Sequence, residues 1–207
     1  MTVAEQRSGY LAQGLRLEYF SLAYNLLESV VGLAAGVAAG SVALIGFGLD
    51  SVVESASATI LLWRLRTESI GRRTSEEAER KAIKGVSLAF FALAAYVGVS
   101  AVVELIGGGA RPETSTLGTG IAILSLIVMP VLARRKKAVA HSLDSRSMAA
   151  DSHQTVLCTY LSGILLLGLL ANALLGWWWA DPVAAIGIAI LAGTEGVELW
   201  RTEDVCC

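Results

Sequence analysis

Residues 42 to 63 read VALIGFGLDSVVESASATILLW, an apolar run preceded by Gly40 and Ser41 and closed by Trp63 and Arg64. At about 1.5 Å of rise per residue, a helix of this length crosses the roughly 30 Å hydrocarbon core of a bilayer. Two acids interrupt it, Asp50 and Glu54. A charged side chain near the centre of a membrane helix costs about 2.5 to 3.5 kcal/mol on insertion scales, so their presence asks for a use. Counted from Ser41, they lie about 13 and 20 Å deep, one turn apart on one helical face, and straddle the midplane.

Outward from this run the chain repeats the pattern. Apolar spans are expected at 17–40, 42–63, 82–106, 115–133, 147–176 and 180–200, bounded by charge clusters or Gly and Pro breaks. The composition agrees: 207 residues are 55% hydrophobic and 16% charged, with a mean hydropathy of +0.62. Those figures exclude an ordinary soluble domain and a disordered chain. The near balance of 16 basic and 18 acidic residues gives no footprint for nucleic acid. Cys158, Cys206 and Cys207 make no disulfide framework.

The fold class expected is therefore an all-α membrane protein of six transmembrane helices. Its domains are a cytoplasmic segment 1–16, a helical domain 17–201 and a short tail 202–207. With both termini inside, every Lys and Arg except Arg111 falls on the cytoplasmic side, as the positive-inside rule requires. Residues 1–16 show no secretory signal. The localisation expected is the cell membrane. The brief connections at Gly40-Ser41 and at Trp177-Trp178-Trp179-Ala180 make helices 1/2 and 5/6 antiparallel neighbours, while 64–81 and 134–146 are expected to be polar cytoplasmic loops.

Most other features have structural readings. Thr74 and Glu77 form a capping-box pattern. Trp177, Trp178, Trp179 and Trp200 fall at membrane interfaces. The stripes Gly32, Gly36, Gly40 and Ser51, Ser55, Thr59 are small-residue packing faces, and the glycine stripe serves either the hairpin with helix 2 or a dimer surface. Glu104 is placed near the outer end of helix 3, reaching the interface. Asn172 is interhelical glue, His141 is an exposed loop residue, and Cys206 and Cys207 belong to a frayed end.

Asp50 and Glu54 resist such readings. Two carboxylates close together in low dielectric do not both stay ionised, so the empty pair retains a proton that a divalent cation displaces. Helix 5 offers partners: Gln154 and Cys158 repeat the one-turn spacing, and Asp151 lies a further turn towards the inner end. A thiolate, two carboxylates and an amide oxygen suit a borderline ion such as zinc. Against this, Cys158 reads equally as an apolar filler and Gln154 as an interhelical bond. Glu28, with Tyr24 a turn before it, completes the polar cavity or relays protons. Asp151 is an entrance residue or an interfacial cap, and His153 is a ligand by chemistry set about 100° away from Gln154 around the helix.

The segments Ser41 to Leu44 and Gly48 to Glu54, Ala150-Asp151 opening helix 5, and Ala180-Asp181-Pro182 opening helix 6 resemble the membrane domain of the cation diffusion facilitators. The resemblance spans about residues 17–201. It implies a metal site on helices 2 and 5, falling here on Asp50, Glu54, Gln154 and Cys158, and proton-coupled exchange by a dimer. Gln154 and Cys158 depart from the family's His-x-x-x-Asp. The His-rich cytoplasmic loop is missing, and the sequence is expected to be a short form lacking the cytoplasmic C-terminal domain. The function implied is secondary active export of a divalent transition metal, zinc favoured over Mn2+, Co2+, Fe2+ and Cd2+, in exchange for protons. A homodimer through the membrane helices and the lipid bilayer are the expected partners, with no prosthetic group. The alternative is a non-transporting metal sensor or partner subunit. Both acids share one helix and no nucleophile and base accompany them, so no enzyme activity is expected.

Overall fold

A computed structural model describes residues 3–70, 76–107 and 111–204. Among them are six helices and no strand: α1 (Val3–Ala39), α2 (Val42–Ser69), α3 (Glu76–Gly107), α4 (Thr116–Leu143), α5 (Arg146–Leu175) and α6 (Ala180–Asp204). All six are long and apolar enough to cross a membrane. Large apolar side chains such as Val37, Ile106, Leu167 and Leu174 stand exposed around the bundle, as expected where lipid is the solvent. Thr74, Gly108, Gly109, Cys206 and Cys207, and the side chain of Glu77, lie outside the described residues, and the capping-box reading with them.

The expected spans fall on these helices to within one residue where a span is the longer, and most helices run on past them, α1 and α4 furthest. Helix α4 continues through Arg134 to Lys137 because its buried stripe continues: Met129, Leu132, Ala133, Lys136, Val139, Ala140 and Leu143 follow one another at three- and four-residue spacing. Residues 3–16 are likewise the start of α1 and not a separate segment. Leu11 of α1 packs with Leu61 and Leu65 of α2, Val139, Ala140 and Leu143 of α4 and Met148 of α5 in a second core cluster. The expected 134–146 loop shrinks to Asp144 and Ser145. Asp144 takes the left-handed conformation at φ 51° and its N–H closes on the Ala140 and His141 carbonyls, while Ser145 caps α5 by accepting from the Met148 N–H. His141 is exposed as expected, but on the last turn of α4.

Three antiparallel pairings dominate the packing: α1 with α2, α3 with α6, and α4 with α5. Helix α2 also touches α3, α5 and α6, and its span is the most deeply covered of the six. The α5/α6 hairpin is present, yet the main partner of α6 is α3, to which Ser87 Oγ ties it by donating to the Gly196 carbonyl at 2.6 Å. At the opposite end Asp181, in the first turn of α6, holds the start of α2. Ser41 Oγ donates to Asp181 Oδ1 at 2.5 Å and the Ala43 N–H to Oδ2 at 3.2 Å. The carboxylate thus satisfies the otherwise unpaired N-terminal amides of α2 and meets its positive end. Asn172 donates to the Pro112 carbonyl, binding the α3–α4 connection to α5. Trp177 and Trp179 stack at this end with centroids 5.0 Å apart, and Trp63 and Trp200 are exposed at the other.

The glycine stripe serves the hairpin. A Cβ on Gly36 would lie 2.8 Å from the Ile45 backbone nitrogen, one on Gly32 3.1 Å from Gly48 Cα, and one on Gly48 2.8 Å from the Leu33 nitrogen, so α1 and α2 meet backbone to backbone. Gly40, at φ +63°, makes the turn between them. Gly36→Ala is expected to destabilise the fold by about 1 to 3 kcal/mol through overpacking, whereas Gly85→Ala, with open space around it, is not. Thermal melting of the two purified variants in detergent reads the difference.

Candidate metal centre

The side chains singled out on α2 and α5 converge. Asp50, Glu54, Gln154 and Cys158 line one cavity of about 10 Å³, together with Phe90, Leu157, Leu161, Leu191, Ala192 and Glu195. That volume holds about one water-sized occupant. Glu28 of α1 joins them from behind: it, Glu54 and Cys158 each offer a ligand atom within 4.8 Å of the others, and all three are buried. Ligands around a tetrahedral zinc at about 2.0 to 2.3 Å stand roughly 3.3 to 3.8 Å apart, so small side-chain rotations close this group on an ion.

The hydrogen bonding leaves donor atoms free. Ser51, Ser55 and Thr59 spend their hydroxyls on the carbonyls of Phe47, Ser51 and Ser55, one turn back. Ser51 also donates to Glu28 Oε2 at 3.3 Å, and none of the three reaches Asp50 or Glu54. Glu28 Oε1, Glu54 Oε2, Gln154 Nε2 and the Tyr24 hydroxyl are buried without a hydrogen-bond partner. Unsatisfied buried polar atoms each cost about 1 to 3 kcal/mol, and Glu54 and Gln154, which carry two of them, both line the cavity, which makes it a candidate ligand site. A bridging role for Gln154 between helices finds no partner for its amide nitrogen.

The remaining candidates are sorted differently. Asp151 is buried, and its Oδ2 accepts from Lys136 Nζ at 2.5 Å. Lys136 also donates to Glu18 Oε2 at 3.2 Å and Ser21 Oγ at 2.9 Å, so a fully buried ammonium joins α1, α4 and α5. His153 is half-exposed and turns to Glu195, outside the cavity of Asp50 and Glu54. Glu104, near the end of α3 as expected, is buried against neighbouring helices, and both its oxygens lack a partner. Glu195 and Lys136 escaped the sequence reading, although both continue buried three- and four-residue stripes, Ala185-Ile188-Ala192-Glu195 and Met129-Ala133-Lys136-Ala140.

Six apolar helices with unpaired acids at the centre of their bundle define a multi-pass membrane protein. Residues 19–203 match the family described as the cation efflux transmembrane domain, and the chain belongs to that family. Among curated relatives it is 24% identical to transmembrane protein 163 of Xenopus laevis over 94% of this chain and 68% of the relative. It is 30% identical to the cation-efflux pump FieF of Shewanella oneidensis over 56% of this chain and 41% of that one. An uncharacterized transporter of Synechocystis sp. is 27% identical over 88% of this chain, which spans 61% of its length. The cation diffusion facilitator resemblance and the six-helix fold are both upheld.

Removing the buried cation beside the site is expected to be severe. Lys136→Met leaves Glu18 and Asp151 facing each other in the bundle and should cost about 3 to 5 kcal/mol. Combining it with Glu18→Gln and Asp151→Asn should recover most of the loss in a detergent melting experiment.

Proposed function

We propose that the chain is a secondary active transporter that exports a divalent transition metal, zinc first, across the cell membrane in exchange for protons. The observation that carries this reading is the cavity in which Asp50, Glu54, Gln154 and Cys158 meet, with Glu28 behind them and several donor atoms unpartnered. Membership of a cation efflux family supports transport of a metal cation. Mixed thiolate and carboxylate donors favour borderline and soft ions, zinc and cadmium above manganese. Carboxylates crowded in a low-dielectric bundle carry protons when empty and release them to an arriving divalent ion, so loading and unloading exchange the two.

The orientation proposed places both termini in the cytoplasm, since six spans return the chain to its starting side and the basic residues concentrate there. A homodimer would form through lipid-facing surfaces other than the glycine stripe, which the α1/α2 contact occupies. The reading is transport without catalysis or a prosthetic group.

In proteoliposomes, Asp50→Asn and Glu54→Gln are each expected to reduce zinc-driven proton flux to background; retained flux in both removes the mechanism. Zinc binding without uptake by the unaltered protein would select a sensor or partner subunit instead. Cys158→Ser should weaken transport of cadmium more than of manganese, and equal effects would show that the thiol does not ligate.

A further inference from the structure

A second group of donors lies on the more exposed side of Glu195, toward the ends of α5 and α6 proposed to be cytoplasmic. His153 of α5 and Glu195 and Glu198 of α6 each present a ligand atom within 4.8 Å of the others. The glutamates are three residues apart and so share a helical face. His153 is 53% exposed and Glu195 only 5%. His153 Nδ1 stands 4.0 Å from Glu195 Oε2, beyond hydrogen-bonding distance, and that oxygen is buried without any hydrogen-bond partner. A buried carboxylate oxygen therefore points at an imidazole nitrogen with a gap between them. The gap is slightly wider than the separation of two ligands on one zinc ion.

The same Glu195 lines the cavity of Asp50, Glu54, Gln154 and Cys158. It is thus common to a half-exposed cluster and a buried one. The half-exposed cluster has one imidazole and two carboxylates and no thiolate. That set suits zinc, cobalt or iron(II), with water completing the coordination at the exposed side.

We propose that His153, Glu195 and Glu198 form a second divalent-cation site, a loading site from which Glu195 passes the ion to the buried cavity. The site stands on its own geometry; the hand-over rests on the transport reading above.

Calorimetric titration with zinc of the full chain in detergent tests the site. The Asp50→Asn/Glu54→Gln variant is expected to keep one bound zinc, lost when His153→Ala and Glu198→Gln are added. The proposal is overturned if the first variant binds none, or if the added changes leave its zinc in place. His153 and Glu198 are partly or fully exposed, so folding should survive, and His153→Gln provides a second variant of similar polarity. For the hand-over, His153→Ala and Glu198→Gln in the otherwise unaltered chain should raise the KM for zinc uptake about 10-fold, well beyond any fall in maximal rate. An unchanged KM rejects the loading role. Should the unaltered chain bind two zinc ions and transport none, the hand-over and the transport reading fail together while the site remains.

Discussion

A carboxylate enclosed by helices inside hydrocarbon must be neutralised, by a proton, a partner cation or a metal, and the bundle meets this demand in two ways within a short distance. Glu18 and Asp151 share the ammonium of Lys136, which ties α1, α4 and α5 together. Among the described residues no amine forms an ion pair with Glu28, Asp50 or Glu54: Glu28 Oε2 accepts from the Ser51 hydroxyl, and Glu54 keeps an oxygen unpaired. The first arrangement carries its own cation, although Glu18 Oε1 stays without a partner. The second has no ion-paired amine among the described residues, which is why one acidic group reads as scaffold and the other as a candidate site.

The scaffold delivers the open group by placing α2 at the centre. Its neighbours α1, α5 and α6 each contribute donors, Glu28, Gln154 with Cys158, and Glu195. The glycine contacts draw α1 close, and the Asp181 carboxylate fastens the starts of α2 and α6. Polar groups outside the cavity, such as Ser87 on Gly196, hold the remaining pairs in register.

Much of this was legible in the sequence. The spans, the hairpins and the pair Asp50 and Glu54 follow from the cost of placing acids and open backbone in oil, which few arrangements tolerate. The helix 5 positions were reachable through spacing from Asp50 and Glu54 to a facing turn. Lys136 was not, because Arg134, Arg135 and Lys137 surround it and a basic cluster ends an apolar span on any hydropathy scale. Only the continued stripe from Met129 to Leu143 betrays that one of the four points inwards. Glu195 was hidden in the same way by Glu198 and Trp200, which mark a helix end at an interface. The pairing of α3 with α6 depends on contacts between distant segments, which no local pattern encodes.

The backbone contact between Gly32 and Gly48 has an effect that extends beyond packing. Glu28 sits one turn before Gly32, and Ser51, which donates to it, one turn after Gly48. The closeness of the two main chains therefore sets how far Glu28 stands from Glu54 and Cys158. A single methyl group added at either glycine would widen that spacing without touching a donor atom. Under the transport reading proposed above, the size of ion that the cavity accepts would depend partly on residues that have no side chain at all.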